Sequence, residues 1–504
     1  MDTTSYYMEP TRLDSIIKKK YGAILSFLGL ISIFLGLLLL TPLLTLFFYP
    51  GEVISITAFV IPSAFSLGLG ILLWLYFKRK DLSSLTLQDG AVVVVLSWSY
   101  ACLIASIPFL IASDLSPIKA LFESVSGWTT TGLSVIDVSK TSRSLLLWRS
   151  ILQFSGGGGL AIIMISAIIG PYGVGIYQAE GHAEQLLPNI RSTAKMVMLI
   201  YSVYTLLGII AYGLAGMPLF DAINHAFCAL STGGFSTVPE SIGHWRNRTI
   251  EVITIILMLL GTTSFAIHYL LLKLRLKDVF RNGESRFFMA VLVLIIPVVL
   301  YSVAQLSYTN LSESLRVATF QVVSALSTTG YSTVELKDWP DFGIFILVLL
   351  MIIGGGTCST AGGAKQYRIY ILLKSFFWNI GDYFLPKSAV VKNYIWRGEN
   401  KFYVDDRHIR QVANFVFLYL VTFVVGVLIF LASGYSLRQS FFEFASALGT
   451  VGLSTGITHG NTPSLILWTE MFGMFLGRLE FLVIFFGIIK IFRDTKMLVT
   501  MNKR

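Results

Sequence analysis

Charge is scarce in this chain of 504 residues: Asp, Glu, Lys and Arg make up 13% of it, about half the share of an ordinary soluble domain. A soluble chain of this length would divide into several domains with charged surfaces, and that class is excluded. Cysteine is sparser still. Cys102, Cys228 and Cys358 stand apart in apolar segments without CxxC spacing, which argues against a disulfide framework or thiolate metal site and leaves packing roles. The six histidines show no pair at helical ligand spacing, and no GxxxxGK[ST] or GxGxxG after a soluble strand offers a phosphate cradle. Histidines, cysteines and carboxylates nowhere gather into an acid–base or metal constellation, so an enzyme is not expected.

Apolar sequence fills the space instead. Hydrophobic residues make up 55% of the chain and mean hydropathy is +0.73. Runs such as 23–48 and 250–272 exceed the ~20 residues that cross a bilayer as a helix. Hydropathy places ten spans, near 23–48, 53–77, 90–112, 145–170, 196–217, 250–272, 287–307, 342–372, 411–433 and 464–489. The first is too long for a signal peptide. With the N-terminus inside, the basic residues concentrate on the inner side: Lys18 to Lys20, Lys78-Arg79-Lys80, and nine between Lys365 and Arg410. That asymmetry is the positive-inside pattern. The net charge of +10 therefore reports a multi-pass topology with both termini cytoplasmic and the lipid bilayer as partner, with no nucleic acid implied.

One polar segment is written four times: TTTGLSV (129–135), STGGFST (231–237), STTGYST (327–333) and GTVGLST (449–455). Aligned on Gly132, Gly234, Gly330 and Gly452, each has threonine two residues before and serine two after; Ser126, Cys228, Ser324 and Ser446 stand six before. Agreement at so many offsets establishes an internal repeat of about 100 residues. Each repeat reads span, short amphipathic helix, polar turn, span. The short helices open at Ser116-Pro117, Ser312-Glu313 and Ser436, and roughly twelve residues are too few to cross a bilayer. Two crossings per repeat make all four point the same way, unlike the inverted repeats expected of a secondary transporter for organic solutes.

Non-helical backbone at membrane depth survives only when it lines a water-filled path or is buried in protein. Four such turns can stack rings of carbonyl and hydroxyl oxygens that replace an ion's hydration shell. The short helices aim their partially negative C-terminal ends at the same place, which favours a cation. The expected fold is thus all-α and membrane-integral, with ten transmembrane helices. Four tandem helix–pore loop–helix repeats (86–182, 183–280, 281–408 and 409–504) surround one pore in pseudo-fourfold arrangement, after a two-helix extension (1–85). Small-residue helix packing alone would explain isolated glycine motifs but not a fourfold T-x-G-[LFY]-S.

At these residues the chain resembles the Trk/Ktr/HKT superfamily of potassium transporters, from about residue 90 onward. The two extra spans, with QFSGGGGLAIIMIS (153–166), GGGTCSTAGGAK (354–365) and GRLEF (477–481), are similar to the Trk branch. The resemblance implies K⁺ uptake through a selectivity filter at Thr130, Thr131, Gly132 and Leu133; Thr232, Gly233, Gly234 and Phe235; Thr328, Thr329, Gly330 and Tyr331; and Thr450, Val451, Gly452 and Leu453. K⁺ is then the substrate, held at the filter alone, with no cofactor in this chain. A homodimer in a prokaryotic inner membrane is implied. So is a cytoplasmic regulatory ring of the TrkA type, on which ATP, ADP or NAD would bind. Glycine at all four positions matches the K⁺-preferring pattern, while Gly233 and Val451 depart from TTG. A poorly selective K⁺/Na⁺ transporter or a cation symporter of the same fold is the alternative.

Small residues recur below each filter glycine, at Gly156, Gly261, Gly354, Gly473 and Gly477. In 354–363 (Gly354, Gly355, Gly356, Thr357, Cys358, Ser359, Thr360, Ala361, Gly362, Gly363) three consecutive glycines cost about 3 kcal/mol of helix propensity, so an unwound stretch is expected. With Lys365 and Arg478 it is the candidate gate; close packing beneath another helix is the alternative. Arg478, in a span, either controls the path or pairs structurally with Glu470 or Glu480. The basic stretch 374–410 is either a docking site or an interfacial linker.

Overall fold

The computed structural model describes residues 10–52, 55–77, 86–113, 115–159, 190–304, 310–386, 391–398 and 400–501. Lys78 to Lys80 and residues 160–166 of the QFSGGGGLAIIMIS motif lie outside that set. Helix α1 (Pro10–Leu38) runs along α2 (Ser55–Phe77). A Cβ on Gly29 would press on the Trp74 backbone nitrogen at 2.9 Å, so the helices meet nearly backbone to backbone. Ser32 Oγ donates to the Ser66 carbonyl (2.7 Å) and Ser66 Oγ to that of Ser32 (2.8 Å). Small and hydroxyl residues hold helices together where lipid gives them no hydrophobic reason to associate.

The next units share one plan. The first comprises α3 (Leu87–Ala112), the short α4 (Pro117–Trp128) and α5 (Arg143–Gly158); the second, α6 (Ile190–Leu214), the short α7 (Leu219–Leu230) and α8 (Arg248–Thr262). Helices α9 (Phe265–Leu272) and α10 (Leu276–Arg281) lead to the third: α11 (Gly283–Val303), α12 (Leu311–Leu326), α13 (Asp341–Ile353) and α14 (Gln366–Asp382). The last is α15 (Asp406–Ala432), α16 (Leu437–Leu448), α17 (Ser464–Leu479) and α18 (Phe481–Met501). Helix α15 starts three residues ahead of the boundary expected at 409, because Asp405 caps it by accepting from the His408 amide at 2.9 Å. The third short helix begins at Leu311, one residue before Ser312, and runs 16 residues; the other three run 12.

Six described helices are long and apolar enough to cross a bilayer. Three of the expected spans are each two helices, the third of them broken where its glycines led one to expect. Span 250–272 is α8 and α9, meeting at 106°, and 464–489 is α17 and α18, meeting at 102°. Span 342–372 is α13 and α14 with non-helical backbone between Ile353 and Gln366. Span 145–170 is helical to Gly158, and its part beyond 159 lies outside the described residues. Hydropathy sees these as single apolar runs; the breaks fall at local capping chemistry such as Ser264, whose Oγ accepts from the Ala266 amide, and at Glu480, held at φ 63°.

The described residues of the basic stretch 374–410 fold onto their own chain. Strands β1 (Tyr394–Arg397) and β2 (Asn400–Tyr403) pair antiparallel, with Ile395 and Val404 packed against Tyr367, Ile371 and Val412. The Arg281 guanidinium stacks 3.2 Å from the Trp396 ring centre.

Candidate functional site

All four short helices end at the same register, four residues before the aligned glycine: Trp128, Leu230, Leu326 and Leu448. Each then closes with one hydrogen-bond pattern. The amide before the glycine donates back to the carbonyl five residues earlier: Thr131 to Ser126 (2.9 Å), Gly233 to Cys228 (2.8 Å), Thr329 to Ser324 (3.0 Å) and Val451 to Ser446 (2.8 Å). This is a Schellman closure, which demands a left-handed residue and usually takes glycine. Here the residue is threonine in every repeat, with φ of 54° at Thr130, 53° at Thr232, 57° at Thr328 and 50° at Thr450. A β-branched residue in that region costs on the order of 1–3 kcal/mol, and strain of this kind concentrates at functional sites.

The turns close on one another in a ring. The aligned glycines also have positive φ: 95° at Gly132, 72° at Gly234, 80° at Gly330 and 94° at Gly452. A Cβ on Gly132 would overlap the Gly233 carbonyl oxygen; on Gly234, that of Thr329; on Gly330, that of Val451; and on Gly452, that of Thr131. Each repeat thus abuts the next through the same pair of atoms, and the fourth returns to the first. The other filter candidates flank this ring. Thr130, Thr232, Thr328 and Thr450 are fully buried, as are the side chains of Leu133, Phe235, Tyr331 and Leu453 behind the turns. Tyr331 OH donates to the Phe235 carbonyl at 3.1 Å, tying the third turn to the second. The third and fourth turns border an open vestibule of about 650 Å³, lined by Gly330, Ser332, Gly452 and Ser454 among others.

Sequence reasoning missed the residues that hold the ring from behind. Nine residues before each glycine stands a fully buried polar side chain: Glu123, His225, Gln321 and Glu443. Each meets the serine two residues after the glycine. Ser134 Oγ donates to Glu123 (2.7 Å) and Ser454 Oγ to Glu443 (2.6 Å); Gln321 Nε2 donates to Ser332 Oγ (2.8 Å), and His225 Nε2 lies 3.2 Å from Ser236 Oγ. Three different residue types do one job, so an alignment by identity passes over them; a polar residue at a fixed offset on an apolar helix is the signal that remains. Glu123 is balanced by Arg149 (3.2 Å), whose guanidinium also stacks 3.9 Å from the Phe235 ring centre. In the fourth repeat Thr458 Oγ1 stands 2.7 Å from both Glu443 and Glu470.

The candidate gate lies directly against the candidate filter threonines. Residues 354–365 are non-helical, as their glycines suggest. Gly362 N donates to Thr328 Oγ1 (2.8 Å), Thr232 Oγ1 donates to Thr360 Oγ1 (3.2 Å), and a Cβ on Gly362 would overlap Thr450 Oγ1. The loop is anchored by Thr360 Oγ1 to the Gly261 carbonyl (2.8 Å) and by Thr357 N to Glu284 (2.6 Å). Gly355 N donates to Gly362 O at 3.2 Å, folding the loop on itself. Lys365 Nζ donates to the Ala361 carbonyl within it. Arg478 donates to the Thr360 carbonyl, and through Nη2 to the carbonyls of Gly156 (2.6 Å) and Gly157 (3.3 Å). It therefore joins the first, third and fourth repeats at one point. Glu480 accepts from Arg368 (2.7 Å), and Glu470 from Thr458. Below the loop, Trp98, Gly159, Cys358, Ser359, Lys365 and Arg478 line a further cavity.

Apolar helices in multiple passes, carrying four equivalent turns closed into a ring, define a class: a multi-pass membrane transport protein. Comparison with known proteins makes this specific. A profile of the TrkH family, described as cation transport protein, matches residues 55–496, and the chain belongs to that family. It is 32% identical over 458 residues to the Trk system potassium uptake protein TrkG of Escherichia coli (88% of this chain, 93% of the relative). It is 33% identical over 473 residues to TrkH of Halomonas elongata (91% and 96%), and 31% over 470 residues to an uncharacterized cation transporter of Methanocaldococcus jannaschii (92% and 94%). The crystal structure of the potassium transporter TrkH from Vibrio parahaemolyticus superposes with a TM-score of 0.81 at 29% identity, covering 93% of this chain and 98% of that one.

Proposed function

We propose that the chain takes up potassium through a channel-like pore whose selectivity filter is the ring of four turns. The observation that carries this reading is the cyclic contact of each aligned glycine with the carbonyl of the next repeat, which brings residues 130–132, 232–234, 328–330 and 450–452 together in one ring. The names of the Escherichia coli and Halomonas elongata relatives support K⁺ as the ion. In this reading 86–182, 183–280, 281–408 and 409–504 are four pore units in pseudo-fourfold order. Dehydrated K⁺ is held by the Thr-x-Gly backbone, and the helix C-termini add a partially negative field.

The loop 354–363, with Lys365 and Arg478, stands across the path as the gate. Regulation comes from outside the chain, through a cytoplasmic nucleotide-binding ring acting on a homodimer in a prokaryotic inner membrane with both termini inside. The test is ⁸⁶Rb⁺ uptake into proteoliposomes of the purified chain, with K⁺, Na⁺ and choline as competitors. Competition by K⁺ well ahead of Na⁺ is expected. Equal competition by all three would end the filter reading.

A further inference from the structure

The second turn departs from its three counterparts at two aligned positions, and one residue of another repeat answers both departures. Six residues before the glycine the others have serine: Ser126 Oγ donates to Leu133 O (2.6 Å), Ser324 Oγ donates to Tyr331 O (2.6 Å), and Ser446 Oγ accepts from Gly452 N (3.0 Å). The second has Cys228, whose thiol is a weak donor and acceptor. Immediately before the glycine the others have Thr131, Thr329 and Val451; the second has Gly233. Gln153 of α5, fully buried, fills both roles. Its Nε2 donates to the Gly233 carbonyl at 2.5 Å and its Oε1 accepts from the Phe235 amide at 3.1 Å, bracketing Gly234. A Cβ on residue 233 would overlap the Gln153 amide, so glycine and glutamine fit only as a pair. The same helix braces this turn through Arg149, which donates to Ser236 O (3.3 Å), and Ser150, which donates to Asn224 Oδ1 (2.6 Å).

We infer that Gln153 is a specificity-determining residue, a positioning amide supplied by the first repeat that sets the geometry and field of the second filter turn. The inference rests on the filter reading above. Of the four ring carbonyls, that of Gly233 is engaged by a side-chain donor; among the described residues no donor reaches those of Thr131, Thr329 or Val451. The number and field strength of filter carbonyls, and their freedom to close on a smaller ion, govern K⁺/Na⁺ discrimination. The Gln153 amide draws on the Gly233 oxygen's lone pair and fixes its direction. The turn with the least side-chain bulk is thereby kept from collapsing onto Na⁺.

The experiment uses the full chain in proteoliposomes and reads the ratio of K⁺ to Na⁺ competition against ⁸⁶Rb⁺ uptake, a ratio independent of the amount of folded protein. Gln153→Leu keeps the volume and removes both hydrogen bonds. The ratio is expected to fall about tenfold (~1.4 kcal/mol). Gln153→Ala combined with Gly233→Thr rebuilds the third repeat's S-T-T-G in the second, and is expected to recover most of the ratio lost in Gln153→Ala alone. A purely structural glutamine would lower folded yield and leave the ratio at its wild-type value, which overturns the inference. A double variant no better than Gln153→Ala also overturns it. Gly330→Ser serves as the reference: if it too leaves the ratio unchanged, the filter reading itself fails, whereas a shift there with none in Gln153→Leu removes Gln153 alone.

Discussion

Replacing Arg478 by glutamine tests the proposed gate most directly. The arginine holds the loop through the Thr360 carbonyl and braces the end of α5 through those of Gly156 and Gly157. Hydrogen bonds from a charged donor contribute ~1.5–3 kcal/mol each, and a glutamine amide at that position retains at most one neutral bond of ~1 kcal/mol. The net loss is ~3 kcal/mol, and it falls on the arrangement in which the loop is held against the ring threonines. Thr360 keeps its own bonds to Gly261 and Leu230, so the fold around it persists. A ~3 kcal/mol shift corresponds to a ~100-fold change in the ratio of closed to open loop. Removing the guanidinium also takes a positive charge away from the proposed ion path. Both effects point the same way: ⁸⁶Rb⁺ uptake per monodisperse molecule rises, and climbs until opening no longer limits it. Uptake at background in Arg478→Gln, with normal monodispersity, would refute the reasoning and leave Arg478 as a purely structural clamp.

Gly330→Ser drives a Cβ into the Val451 carbonyl and is expected to weaken K⁺ preference over Na⁺ in protein that still inserts; unchanged competition would detach Gly330 from the filter. Thr360→Val keeps its shape but loses the hydroxyl that binds Gly261 and Thr232, so basal ⁸⁶Rb⁺ uptake should rise with the order of ion preference intact, and an altered order would place Thr360 in selectivity instead. Glu123→Leu strands a guanidinium that is 2% exposed and should lower stability by ~3–5 kcal/mol in thermal unfolding in detergent, with Glu123→Leu/Arg149→Met recovering much of it. A double variant as unstable as the single would show that the pair is not what stabilises this turn.

The four turns were legible because their job requires particular letters: glycine where a Cβ would strike the next repeat's carbonyl, and small hydroxyl residues around it. The unwound 354–363 stretch was legible for a related reason, since three adjacent glycines give a helix little to hold. The −9 positions were not, because accepting from or donating to a serine hydroxyl can be done by glutamate, histidine or glutamine alike. Nor were the bends near Thr263 and Glu480: an apolar run has the same hydropathy straight or turned through 100° or more. Gly233 read as a departure from pattern. Its reason lies in Gln153, eighty residues earlier and on another helix, where no local spacing points to it.

The closure of the fourth turn on the first has a consequence for how the molecule is made. Thr131 and Gly452 stand at opposite ends of the repeat series, and ribosomes add about 5–20 residues per second. For roughly 15–60 s the first turn is in the membrane with one side of its glycine seam uncovered, waiting for a neighbour not yet synthesised. Strained threonines and buried carboxylates must be tolerated through that interval by an incomplete assembly. Chains stopped before the last hundred residues therefore contain three finished turns and no ring, and a membrane quality-control protease would meet them as an open, polar seam rather than as a smaller transporter.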